Sequence, residues 1–153
     1  MLKRRISNIV EKSYLVGVNL HSKEAMSMQD EKDAQIKSQL VAEIESVQET
    51  YFTLRDYLFG KDYDALEMVG MLKIFKDKLD GISAHIITFY TLKGQRTNIT
   101  WDQLLNNIGN ALEALKGARS SNPRTAIHAA LTMSQPSASE VMAYLESLKK
   151  SLQ

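Results

Sequence analysis

The sequence predicts an all-α fold: an elongated bundle of two long helices and two to four shorter ones. Three observations carry this reading. Apolar residues recur at spacings of three and four along most of the chain, no stretch alternates apolar with polar residues for long, and the β-branched residues sit mostly at helical spacing.

In chain order, the first twenty-five residues read as a helix through Ile6, Ile9, Val10 and Leu20, with Val16, Gly17 and Val18 blurring its end. The clearest periodic signal follows, from Asp30 to Phe59. There Ile36, Leu40, Ile44, Val47, Tyr51, Leu54 and Leu58 stand 4, 4, 3, 4, 3 and 4 residues apart, which holds one stripe toward a partner. Val41, Phe52 and Phe59 widen the stripe, so this helix is expected to pack against more than one neighbour, and Gly60 is its expected stop.

From Asp62 to Lys93 the chain reads as one long helix rather than two broken at Asp80-Gly81. Leu72, Leu79 and Ile86 form one sevenfold series and Met68, Phe75, Ile82 and Phe89 another, and neither changes phase at Gly81. Asp64 with Glu67 has the spacing of a capping box, and Gly94 that of a left-handed terminator. Thr100 and Gln103 form a second box ahead of a helix with Trp101, Leu105, Ile108, Leu112 and Leu115 on its apolar face, closing at Gly117. Asn122-Pro123 is a cap followed by proline at the first helical position, Pro136 ends that short helix, and Ser137 with Glu140 opens the last one, through Val141, Tyr144, Leu145, Leu148 and Leu152. A single helical domain over 1–153 is expected, with a change of direction at 118–123. A helix near thirty residues spans about 45 Å, hence the expected elongation.

Composition closes several functional classes. At 44% hydrophobic and 24% charged, with two prolines and seven glycines, the chain is neither disordered nor collagen-like. Without cysteine it has no disulfide, thiolate nucleophile, thiolate zinc site or cysteine-held iron–sulfur cluster. The formal net charge of +1 exerts no general pull on nucleic acid, which is not an expected partner. Regionally, residues 1–29 carry five basic and two acidic groups and residues 30–60 three and seven, a complementarity suited to antiparallel contact inside one bundle. No eighteen apolar residues run together, and polar residues interrupt the start of the chain, so neither a membrane span nor a secretory signal is expected and the expected compartment is the cytoplasm.

Helical bundles often hold di-metal carboxylate centres, which require Glu-x-x-His pairs. The residues three before the three histidines are Val18, Ile82 and Thr125, so no metal is expected. Met68 and Met71 read as gap-filling core residues rather than haem ligands, and no cofactor is expected. His85 lies at the flank of the long stripe beside Ile74 and Leu92, where Ser83, Thr88 or a facing backbone group would bond it, and the sequence places no carboxylate partner there. His128 follows Arg124 by one turn. An arginine–histidine pair is a phosphodiester-cleaving combination, yet a surface or end-capping histidine is the simpler reading.

Two surfaces stand out. Lys3, Arg4, Arg5 and Lys12 form a weak basic patch, read as a solvated helix start, with membrane contact expected only there or through an upstream segment, since such a run also follows the cytoplasmic end of a membrane helix. On the helix after Thr100, Gln103, Asn106, Asn107 and Asn110 make a neutral amide stripe. Asparagine is a poor helix former and free faces favour Glu and Lys, so this stripe is the expected interaction surface, satisfied by another segment of the chain or by another molecule. The functional expectation is a non-enzymatic interaction or scaffolding bundle, with a protein partner or self-association. A soluble regulatory or assembly domain of, or docking on, a membrane protein, and a helical enzyme or small-ligand pocket using His85 or His128, are the alternatives.

Overall fold

The structure, a computed structural model, describes residues 18–60, 64–97, 100–117 and 122–153. Five α-helices make up this part of the chain, with no strand among the described residues: α1 Val18–Phe59, α2 Ala65–Leu92, α3 Asp102–Gly117, α4 Pro123–Thr132 and α5 Ala138–Leu152. The all-α fold class holds, with two long helices of 42 and 28 residues and three shorter ones.

α1 differs from expectation at its start. Residues 18–29 belong to it, rather than ending a separate first helix before Asp30. The run from Lys23 to Gln29 contains good helix formers and neither glycine nor proline, so nothing local terminates the helix there. Residues 1–17, including Ile6, Ile9 and the basic patch of Lys3, Arg4, Arg5 and Lys12, lie outside the described residues.

The chain separates into two units with the boundary inside α1, between Gln39 and Leu40. In the first unit, no side chain from Asp30 to Gln39 is buried, and Ile36 is half-exposed instead of opening the core stripe. Five of these ten residues are charged, which suits a helix surface facing water.

In the second unit the stripe is buried as spaced, from Leu40 through Ile44, Val47, Tyr51 and Leu54 to Leu58. Phe52 and Phe59 do not widen it: they are 44% and 70% exposed. They lie off the axis of the buried stripe, and the Arg55 guanidinium covers the Phe52 ring at 4.9 Å from its centroid.

α2 runs unbroken through Gly81 and buries both sevenfold series, Met68 through Phe89. Facing rings of α1 and α2 meet in the core at Tyr51 and Phe75, 5.7 Å between centroids. The Asp64 side chain caps the helix, accepting from the N–H groups of Leu66 and Glu67 at 3.0 and 3.2 Å. The reciprocal half of the expected box goes elsewhere, because Glu67 Oε1 accepts the Tyr57 hydroxyl at 2.9 Å. At the other end Gly94 has φ +73°, Gln95 N–H bonds the Tyr90 carbonyl and Gly94 N–H that of Thr91, both at 2.9 Å, the full Schellman pattern.

α3 starts one residue later than a Thr100 cap would place it, its first turn closed by Leu105 N–H on the Trp101 carbonyl, and the Gln103 side chain is engaged outside the helix. Its buried side is Trp101, Leu104, Ile108 and Ala111, with Leu105, Leu112 and Leu115 half-buried at the edge. The core face is thus turned toward Leu104 and Ala111, on the side where α3 packs against α4 and α2. α4 opens as read, with Asn122 Oδ1 accepting from Arg124 N–H at 3.0 Å and Pro123 in the first turn. α5 carries the complete capping box of Ser137 and Glu140, and Lys149 and Lys150 complement its C-terminal dipole. Its polar edge meets α1 where Gln48 donates to Glu146 Oε1 at 2.8 Å.

Candidate functional site

The amide stripe divides. Gln103 Oε1 accepts the backbone N–H of Gln135 at 2.6 Å, so this member is satisfied by the connection between α4 and α5. Asn106 and Asn110 are exposed and Asn107 half-exposed, and none of the three forms a hydrogen bond among the described residues. Three adjacent amides thus face outward at i, i+1 and i+4, each with donors and acceptors open to water or to a partner.

The histidines are placed differently from one another. His85 Nδ1 lies 2.8 Å from Glu43 Oε1, so the partner is a carboxylate of α1 and neither Ser83, Thr88 nor a backbone group. Glu43 precedes the core residue Ile44 and His85 precedes Ile86, so the two sit on the flanks of facing stripes. Pairing the two stripes was the signal that would have found them. They border a groove of about 170 Å³ together with Ser46, Lys78 and Gly81. Lys78 Nζ donates to Thr50 Oγ1 at 2.8 Å, and that hydroxyl donates to the Ser46 carbonyl at 3.0 Å. A carboxylate-bonded imidazole is a general acid–base arrangement, but this one is open: the side chains of His85 and Glu43 are 59% and 36% exposed.

His128 and Arg124 do not work on each other. The His128 ring stands edge-on to Phe59, 6.2 Å between centroids, while Arg124 Nη2 donates to the Gly60 carbonyl at 3.0 Å. Both reach the C-terminal end of α1, where a guanidinium is favoured by the helix dipole. A phosphodiester-cleaving pair is not formed here.

A third feature escaped the sequence reading. Thr97, Thr100, Trp101, Pro136, Glu140, Val141 and Tyr144 enclose a cleft of about 410 Å³ between the entry to α3 and the first turns of α5. The Trp101 and Tyr144 rings meet edge to face, 6.0 Å apart at 62°. The Tyr144 hydroxyl is held above its ordinary pKa, first by burial and then by nearby Tyr90, against the opposing hydrogen bond with Thr97. Trp101 is only 4% exposed, and its Nε1–H has no hydrogen-bond partner among the described residues. An unmade bond of this kind costs about 1–3 kcal/mol. Trp101 was legible as a core residue and Glu140 as a cap. Only Glu140 and Tyr144, one turn apart on the same side of α5, hinted that the two segments share a cleft.

Among the described residues no group of three or more His, Asp or Glu is placed to hold a metal ion, and no helix is long and apolar enough to cross a membrane. Compared with protein-family models, curated proteins and solved structures, the chain matches none. The class that the fold defines is an all-α helical bundle.

Proposed function

We propose that this chain is a non-enzymatic interaction protein, a cytoplasmic helical bundle that binds another protein chain, a second copy of itself included, through the outer face of α3. The supporting observation is that Asn106, Asn107 and Asn110 remain without hydrogen-bond partners among the described residues, while Gln103 of the same stripe is bonded within the chain. Charged residues are cheap on a free helix face and asparagines cost helix propensity, so a surviving amide face fits a surface that is desolvated in a complex.

Changing Asn106→Lys and Asn107→Lys together tests this. Two charges at the centre of a complex cost several kcal/mol, roughly a hundredfold or more in affinity, whereas the free helix tolerates them. Sedimentation of the purified protein and cross-linked capture from its native cell are expected to show a complex for the natural chain and its loss in the double variant, with the melting temperature unchanged. Identical assembly of the two proteins would reject the reading, and loss of the fold would return the stripe to the bundle interior.

The bond between Glu43 and His85 favours a second reading, an acid–base site in the groove beside Lys78. Replacing both His85 and His128 by alanine separates the two, since it abolishes such an enzyme and leaves an interaction bundle able to bind.

A further inference from the structure

The cleft between α3 and α5 uses none of the exposed amides, and its chemistry is its own. Its described lining offers the partly exposed Tyr144 ring with the largely buried Trp101 behind it, two threonines, the apolar walls of Pro136 and Val141, one carboxylate and no basic side chain. That carboxylate is fixed in place, because Glu140 Oε1 accepts the Ser137 N–H at 2.8 Å in the capping box. No lysine or arginine among the described residues forms an ion pair with it.

Each ligand class meets this lining differently. An anion would face Glu140 without a compensating cation. A neutral apolar molecule would offer the exposed Glu140 carboxylate no compensating charge. A bare divalent metal needs several oxygen ligands, of which a single carboxylate supplies too few. An alkylated ammonium matches the charge and the apolar part of this lining together: its charge complements Glu140, and its methyl groups suit the Tyr144 and Trp101 rings and Val141, where cation–π attraction adds to the contact. The volume, about 410 Å³, suits a small organic molecule rather than a lone ion.

We propose that the cleft formed by Trp101, Tyr144 and Glu140 is a binding site for a small organic cation bearing an alkylated ammonium group. This goes beyond the interaction surface on α3 and stands or falls independently of it.

Trp101 is the only tryptophan in the chain, so its fluorescence reports the cleft directly. The natural protein is titrated with choline and, separately, with 3,3-dimethylbutan-1-ol, which has the same shape without the charge. A saturable fluorescence change is expected with choline, and binding of the neutral analogue at least about tenfold weaker. Glu140→Gln keeps the capping box, for which glutamine also serves, and is expected to retain the melting temperature while weakening choline by about tenfold or more. No saturable response to choline, equal binding of the neutral analogue, or choline affinity unchanged in a folded Glu140→Gln variant would each overturn the proposal. The comparison of the two ligands on the natural chain needs no variant and decides the matter even if the substitution impairs folding.

Discussion

Gln103 Oε1 accepts the backbone N–H of Gln135 at 2.6 Å and so ties the first turn of α3 to the connection between α4 and α5. Its neighbours Asn106 and Asn110, on the same helix face, have no such bond among the described residues. Replacing Gln103 by alanine is therefore expected to destabilise the fold by about 1 kcal/mol, the net value of one hydrogen bond. Asn106→Ala is expected to be neutral or to gain a few tenths of a kcal/mol from helix propensity. Urea unfolding of the two variants beside the natural chain measures the contrast, and equal effects would remove the distinction between the tied and the free amides.

One substitution is expected to have opposite signs at two glycines. At Gly81, in the middle of α2, an added methyl group meets nothing within 4 Å, so Gly81→Ala is expected to raise stability by about 0.5–1 kcal/mol. At Gly94 the backbone is left-handed, φ +73°, and Gly94→Ala is expected to cost about 1 kcal/mol. Denaturant midpoints of both variants give the answer. A loss at Gly81 would mean that the helix interior there is more crowded than its geometry shows.

Acid is expected to weaken the edge between α1 and α5. The Glu146 carboxyl is held below its ordinary pKa, first by the hydrogen bond from Gln48, then by that from Lys149 and by the charges of Lys149 and Lys150, with slight burial opposing. A carboxyl whose pKa is lower in the folded than in the unfolded chain contributes stability in full above the unfolded value and loses it as pH falls through the folded one. Melting curves taken from neutral pH down through the carboxylate range are expected to fall more steeply for the natural chain than for Glu146→Gln. Parallel curves would show that the contact does not discriminate between the charged and neutral forms.

The Glu43–His85 pair is expected to contribute little to stability. Both side chains are substantially open to water, where an ion pair is worth at most about 1 kcal/mol. A double-mutant cycle with Glu43→Gln and His85→Ala is expected to give a coupling within that bound, and a larger one would indicate a site more closed than its exposure shows.

Much of the fold was legible without coordinates, and the reason is locality. The seven buried residues of α2 are the two sevenfold series read from spacing alone, and the Asn122-Pro123 start, the Ser137–Glu140 box and the Gly94 terminator each depend on groups within a few residues of one another. Where a local signal competed with a distant partner it failed: the Thr100–Gln103 box gave way to Gln135, and Glu67 turned to Tyr57 instead of back to Asp64.

By itself the sequence determined the all-α class, the extent of α2, the caps of the last two helices and the stripe from Leu40 to Leu58, because spacing, propensity and capping act over a turn or two of backbone. The tertiary structure alone decided that Glu43 meets His85 across 42 positions, that Arg124 reaches Gly60 across 64, and that Trp101 shares a cleft with Glu140 and Tyr144. Those meetings depend on how each helix is rotated about its axis and where it crosses its neighbours. Rotation and crossing are set by the packing of whole faces against one another, which no single stretch of sequence specifies.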